Sequence, residues 1–209
     1  LVGAGGAGRA VAVALADVIG DGFMVVMSRT PAHAEEVAKL ARARHPRVTS
    51  AILQTLAARI AGVDLLINCT SCGQTGLRTS DAGTLVTLEP YSPLADVSPA
   101  GVVAAASDAE TLRAGMACNF DSIERNSRAS LSRLMDLPAS ASVFDIVYAP
   151  AETVLLRQAR LTGHATLNGT LMNLQQAVTA MFDVVFKSYF EQRGLATAET
   201  RQAILHSMM

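Results

Sequence analysis

Leu1-Val2-Gly3-Ala4-Gly5-Gly6-Ala7-Gly8-Arg9-Ala10 opens the chain and decides how the rest is read. Gly3, Gly5 and Gly8 fit the spacing G-x-G-x-x-G, between the end of a strand and the start of a helix. Gly3 permits a tight turn. Gly5 lets backbone N–H groups approach a pyrophosphate. Gly8 lets the helix pack close to the strand. The helix N-terminus adds about half a positive charge toward the phosphates. An Ala-rich helical pattern follows to about Ile19, then Gly20, Gly22 and a strand over Phe23–Met27. The spacing alone is weak evidence, since glycines also punctuate ordinary turns. Set between a strand and a helix, it predicts a dinucleotide-binding unit: an α/β, Rossmann-like, doubly wound parallel sheet with helices on both faces.

The first strand of such a sheet lies at its centre, and strands usually run five or six residues. Here only Leu1-Val2 precede Gly3, and no initiator Met is present. The first strand therefore reads as truncated and the chain as a fragment with residues missing upstream.

Composition sets further bounds. The 209 residues are 50% hydrophobic with a net charge of −1. That length suits one domain with a substantial core, and near-neutrality argues against nucleic acid as the main partner. No run of about eighteen apolar residues predicts a membrane span. The three cysteines, Cys69, Cys72 and Cys118, do not make a disulfide framework. A cytoplasmic location is expected.

Beyond the first turn, strand two ends at Met27. An NAD site would place an Asp or Glu just beyond it for the ribose hydroxyls; this chain has Ser28-Arg29-Thr30. An Arg there suits the 2′-phosphate of NADP, because guanidinium offers paired donors. The alternative is a surface Arg at a helix start. A helix is expected from Pro31 to about Arg44, with Ala34, Val37, Ala38 and Ala41 on its apolar face. His33, one turn beyond Arg29, is either a phosphate contact or a solvated side chain. Val48–Ile52 reads as a third strand and Leu53–Ala61 as helical. Asp64–Asn68 is a buried strand with Cys69-Thr70-Ser71 at its carboxyl end, where open α/β sheets bind ligands. Cys69 and Cys72 make a C-x-x-C without a second pair, so no metal site is expected.

Residues 77–140 exceed what a crossover between parallel strands needs and are read as an insertion: a lid, a partner surface or a loop. Within them Ser107-Asp108-Ala109-Glu110 predicts a capped helix to about Ala117, and Ser127–Leu137 a second one. Ser142–Tyr148 is the next strand, Thr153–Leu161 a helix, and Ala165–Leu167 a strand ending at Asn168-Gly169. A helix is expected from Thr170 to about Arg193, buried along Leu171, Leu174, Val178, Met181 and Val185. A last helix runs from about Ala196 to Ser207.

These pieces resemble the nucleotide-binding domain of the shikimate dehydrogenase family, which includes quinate/shikimate dehydrogenases. The resemblance rests on Gly3-Ala4-Gly5-Gly6-Ala7, Ser28-Arg29-Thr30 (N-R-T in the family), Asn68-Cys69-Thr70-Ser71 (N-A-T-S), Val143–Pro150 (V-x-D-x-x-Y-x-P) and Asn168-Gly169-Thr170-Leu171-Met172 with Gln176. His33 stands where the family often has a second phosphate Arg. The resemblance implies reversible hydride transfer between NADPH and 3-dehydroshikimate, giving shikimate, a step toward chorismate and the aromatic amino acids. It implies cofactor contacts from Gly3, Ala4, Gly5, Gly6, Ala7, Ser28, Arg29, Thr30, Asn68, Thr70, Gly169 and Met172, and substrate contacts from Tyr148 and Gln176. It places the proton-transfer Lys and Asp in an N-terminal substrate domain absent from this chain, so the chain alone is expected to be inactive. The residues agree: the two lysines, Lys39 and Lys187, lie on helices away from the sheet's carboxyl edge.

Other readings are a quinate-directed catabolic enzyme, a glutamyl-tRNA reductase-like nucleotide domain and a non-catalytic NADP-binding regulator. Homodimerisation is left open.

Overall fold

The computed structural model describes residues 1–80 and 82–209. Its parallel strands are β1 (Met24–Ser28), β2 (Val48–Ile52), β3 (Leu65–Asn68), β6 (Ser142–Asp145) and β7 (Ala165–Asn168). Val2 bridges Met27 of β1 on one side and Asn68 of β3 on the other. The sheet therefore runs β2-β1-Val2-β3-β6-β7, all parallel. In chain order this is 3-2-1-4-5-6, the doubly wound order. The expectation that the first strand is central is met. Val2 N donates to Ile67 O at 2.8 Å and Val2 O accepts from Cys69 N at 2.7 Å, while Gly3 N donates to Met27 O at 2.8 Å.

Two apolar layers flank the sheet. On one face α1 (Gly6–Ala16) and α2 (Pro31–Arg42) bury Ala12, Ala16, Ala34, Val37, Ala38 and Ala41 against Met24, Val26 and Val48. On the other, Met27, Leu66 and Val143 meet Leu56, Ile60, Leu155 and Leu156. Alternate β1 residues thus serve opposite faces, as the strand's two-residue period requires. α2 keeps the four-residue apolar face read from its sequence. The Leu53–Ala61 helix is instead two short 3₁₀ turns, Leu53–Ala58 and Ile60–Gly62. α4 (Val154–Leu161) is capped by Thr153 Oγ1, which accepts from Leu156 N at 3.3 Å.

The 77–140 stretch (of which residue 81 lies outside the described residues) is ordered by one device. β4 (Leu77–Thr79) and β5 (Leu85–Thr87) form an antiparallel hairpin. The two helices expected beyond it are a single helix, α3 (Asp108–Asp136), capped by Ser107 Oγ accepting from Glu110 N. The sequence pattern suggests two helices because the buried face of α3 is polar: Thr111, Gly115, Asn119, Asn126 and Ser130 precede Leu134. Those side chains complete the irregular backbone beside them. Asn119 accepts from Ala100 N at 2.6 Å and donates to Ala100 O at 2.9 Å. Asn126 does the same for Ser92, at 2.8 and 3.0 Å, and donates to Asp96 O at 2.8 Å. Each amide pairs with a main-chain residue as a neighbouring strand would. At its far end α3 sets Leu134 in the core and Ser130 Oγ donates to Gln158 Oε1 of α4 at 2.6 Å.

The chain divides into two compact units, Leu1–Asn168 and Gly169–Met209. The second holds α5 (Thr170–Ala180), a π-helical turn (Met181–Val185), α6 (Lys187–Gln192) and α7 (Ala198–Met208). One helix to Arg193 was expected; the π turn ends it, with Phe186 N donating back to Met181 O at 2.9 Å. The extra residue per turn moves the buried stripe to Val178, Phe182 and Phe190, and Leu171 and Val185 face solvent. Phe182 and Phe190 stack with centroids 4.1 Å apart. Among the described residues no helix is long and apolar enough to cross a membrane.

Candidate functional site

The doubly wound order has its switch point between Val2 and β3, where the chain stops building outward on one side and crosses to the other. The turn after Val2 and the turn after β3 meet there, at the carboxyl ends of the strands. Gly3 adopts φ +106°, and a Cβ added to it would stand 2.8 Å from the Cys69 carbonyl carbon and from Thr70 Cγ2. At Gly8 an added Cβ would lie 2.1 Å from Gly3 O. Both glycines are demanded by packing of backbone on backbone. Gly5 is different. It begins α1 with extended backbone, φ −79° and ψ −169°, caps it with no side chain, and an added Cβ meets nothing within 4 Å. Open space thus faces the uncapped N–H groups of a helix N-terminus, the arrangement that receives a phosphate. Gly6 and Ala7 form the exposed first turn.

A cleft of about 670 Å³ begins at this turn. That volume is in the range of small-molecule sites, roughly 300–1,000 Å³. Gly3, Ala4 and Gly5 line it, with Ser28, Arg29 and His33 from the end of β1 and the start of α2, and Thr70 from beyond β3. Its opposite wall comes from the insertion: Val86, Leu88, Pro93, Ala95, Val97 and Pro99. Arg29 and Thr30 are exposed, and Thr30 N donates to Ser28 Oγ at 3.2 Å. The acids that follow Arg29 are engaged elsewhere, Glu36 with Arg9 at 2.7 Å and Glu35 with Arg42 and with Ser50 at 2.6 Å.

Beneath the cleft lies a buried polar knot. Asn68 Nδ2 donates to Asp145 Oδ1 at 2.8 Å, and Asn68 Oδ1 accepts from Thr70 N at 2.9 Å and Thr70 Oγ1 at 2.7 Å. Asp145 also accepts from Val147 N at 3.0 Å and Thr153 Oγ1 at 2.7 Å. Asn68 does not line the cleft; it fixes Thr70, which does. Burial pushes the Asp145 carboxyl up to about 6, against the three donors that favour its charge. Burial likewise raises the Cys69 thiol to about 12 and raises Cys72, whose Sγ donates to Tyr91 O at 3.1 Å. The C-x-x-C is therefore a pair of protonated, buried thiols. Among the described residues no group of three His, Cys, Asp or Glu is placed to hold a metal.

Tyr148 lies three residues beyond β6 and is half exposed. In the second unit Gly169 is the N-cap residue of α5, Met172 is partly buried, and Gln176 is exposed one turn further on. Of the residues named by motif, Gly3, Ala4, Gly5, Ser28, Arg29 and Thr70 line the cleft, and Gly6, Ala7 and Thr30 do not. Motif reading missed the work of Asp145, although that residue sits in the V-x-D-x-x-Y-x-P stretch. It missed the insertion wall, for which no local pattern exists.

No family model matches the chain. Over 207 residues it is 36% identical to the NADP(+) shikimate dehydrogenase of Methylobacterium radiotolerans, covering 98% of this chain and 52% of the relative. Over 209 residues it is 30% identical to the enzyme of the same name from Sinorhizobium fredii, covering all of this chain and 52% of that one. The quinate dehydrogenase of Corynebacterium glutamicum, solved in complex with NAD, superposes with a TM-score of 0.54 at 25% identity, covering 87% of this chain and 47% of that one. The chain thus spans about half the length of the relatives it matches.

Proposed function

We propose, since the chain belongs to the shikimate dehydrogenase family over the half of those proteins that it spans, that it forms the nucleotide-binding part of an NADP-dependent oxidoreductase interconverting 3-dehydroshikimate and shikimate. One observation carries the reading: the open cradle at Gly5 and the guanidinium of Arg29 line a single cleft at the sheet's switch point. A bound nicotinamide cofactor supplies or accepts the hydride. The residues of this chain position it. The N–H groups from Gly3 to Ala7 face the pyrophosphate, and Ser28, Arg29 and Thr30 hold the 2′-phosphate. Thr70, fixed by Asn68, borders the nicotinamide half. The family resemblance assigns Tyr148 to substrate hydroxyls and, in the second unit, Gly169 and Met172 to the cofactor and Gln176 to the substrate. The family resemblance assigns the proton-transfer Lys and Asp to a substrate domain outside these residues.

Cofactor choice tests the reading. A hydrogen bond to a charged group is worth about 1.5–3 kcal/mol, so the complete protein should prefer NADP over NAD by roughly tenfold to a hundredfold. The lower figure is favoured because Arg29 is exposed. Arg29→Ala should reduce the preference by about tenfold in titration calorimetry. Equal affinities in the parent would remove Arg29 from the site. A second test concerns the substrate: Gln176→Ala should raise KM for shikimate by about tenfold, the loss of one hydrogen bond in a desolvated site, with NADP affinity unchanged. Running quinate beside shikimate separates the anabolic enzyme from the quinate-directed alternative.

A further inference from the structure

We propose that Arg133, on helix α3 of the insertion, is a second guanidinium for the phosphate that Arg29 recognises, which makes the insertion part of the nucleotide site. The inference rests on the dinucleotide reading above and adds a residue to it. A side compartment of about 200 Å³ is lined by Arg29, Leu53, Gln54, Ala95, Asp96 and Arg133. Arg29, Leu53 and Ala95 also line the main cleft, so the compartment continues it at the carboxyl end of β1. That is where a doubly wound sheet holds the adenosine ribose. The space is several times the roughly 30 Å³ share of one water, enough for a phosphate group.

The two arginines come from elements far apart in the chain, and the fold brings them to one compartment. Neither is in an ion pair among the described residues, whereas Arg9, Arg42, Arg44, Arg128 and Arg157 each hold a carboxylate. Arg133 is half-buried beside the fully buried Leu134, so its stem starts from a fixed point. Two guanidinium groups on one compartment favour a doubly charged anion with several acceptor oxygens over a neutral hydroxyl. They also supply what the His33 position lacks.

Asp96 opposes them. Its Oδ2 accepts from Ser98 Oγ at 2.8 Å, and its main-chain carbonyl is held by Asn126 at 2.8 Å. With Asp96 ionised, the three charged side chains of the compartment sum to a single positive charge. Asp96 therefore limits phosphate affinity, while its carboxylate remains an acceptor for a ribose hydroxyl. The insertion thus brings both a residue that favours NADP and one that tempers the preference.

The test is titration calorimetry on the complete protein with NADP, NAD, 2′-AMP and 5′-AMP. In Arg133→Gln, affinity for NADP and 2′-AMP should fall about tenfold, with NAD and 5′-AMP changed less than twofold. In Asp96→Asn, NADP should bind two- to threefold more tightly. Arg133→Lys should retain part of the preference, since it keeps the charge without the fork, and it stands in should the Gln variant fail to fold. Equal weakening of NADP and NAD by Arg133→Gln would assign Arg133 to structure and overturn the proposal. Unchanged NADP binding in that variant, with Arg29→Ala still impaired, overturns it while leaving the cofactor reading intact. A parent that binds neither dinucleotide overturns both.

Discussion

Gly8→Ala is expected to destabilise the first unit by about 3 kcal/mol or more and to abolish dinucleotide binding. The new methyl group would stand 2.1 Å from Gly3 O and 2.9 Å from Gly3 C. These are backbone atoms, and Gly3 is itself bonded to Met27 O of the sheet at 2.8 Å. No rotamer change relieves the contact, so α1 must move off the strand. Overpacking of this kind costs about 1–3 kcal/mol when side chains can yield, and here none can. For a unit of this size the midpoint of thermal unfolding should fall by roughly 6–12 °C. Gly5→Ala supplies the contrast. Its methyl group meets nothing and its φ of −79° suits any residue. Stability should hold within about 1 kcal/mol, while NADP affinity drops by tenfold or more because the methyl group occupies the phosphate's approach. Calorimetric unfolding beside cofactor titration of both variants checks the pair. A Gly8→Ala protein with the parent's midpoint would refute the close approach of α1.

Asp145 carries the second large effect. Its folded pKa of about 6 lies above the ordinary carboxyl value near 3.8, because its side chain is wholly buried. A raised acid pKa means that the folded state binds the proton more tightly than the unfolded one. Between about pH 4 and pH 6 stability therefore falls as pH rises, is fully present below about 4, and levels off above about 6. Two pKa units correspond to roughly 3 kcal/mol as an upper bound. Glu35, Glu152 and Asp183, all exposed and held below their usual values by arginines or a serine, slope the opposite way at lower pH. The comparison that isolates Asp145 is parent against Asp145→Asn, in urea unfolding at pH 4, 5 and 7. The Asn variant should gain stability relative to the parent as pH rises through that window. Asp145→Ala should instead cost about 2–4 kcal/mol, because Asn68, Val147 and Thr153 lose their common acceptor. It should also loosen Thr70, and with it cofactor binding. A parent-to-Asn difference that does not vary with pH would show that Asp145 titrates normally.

What was legible in the sequence was written in short-range terms. A G-x-G-x-x-G turn, an Arg at the end of a strand and the three-to-four-residue spacing of Ala34, Val37, Ala38 and Ala41 each encode their structure within a few positions. The central place of Val2 followed from the same logic. The insertion did not, because its order comes from pairings 19 to 34 residues apart, Asn119 with Ala100 and Asn126 with Ser92. A buried face of Thr, Asn and Ser has no apolar period to detect. The π turn at Met181–Val185 defeated a 3.6-residue period in a similar way, by adding one residue to a turn of otherwise ordinary composition. At the site, Asn68 does not line the cleft and touches it only through Thr70, a relation that its motif does not encode. Arg133 carried no local signal, since only the fold brings it to Arg29.

Helix α3 is, in mechanical terms, a cantilever. Its clamped end is Ser130 to Leu137, fixed to α4 and the core; its projecting span carries Asn126 and Asn119, from which the cleft wall hangs. At 1.5 Å per residue, Asn119 stands roughly 22 Å out from Leu134. A deflection of about 5° at the clamp would displace that level by roughly 2 Å, and the cleft wall bonded to Asn126 and Asn119 would move with it.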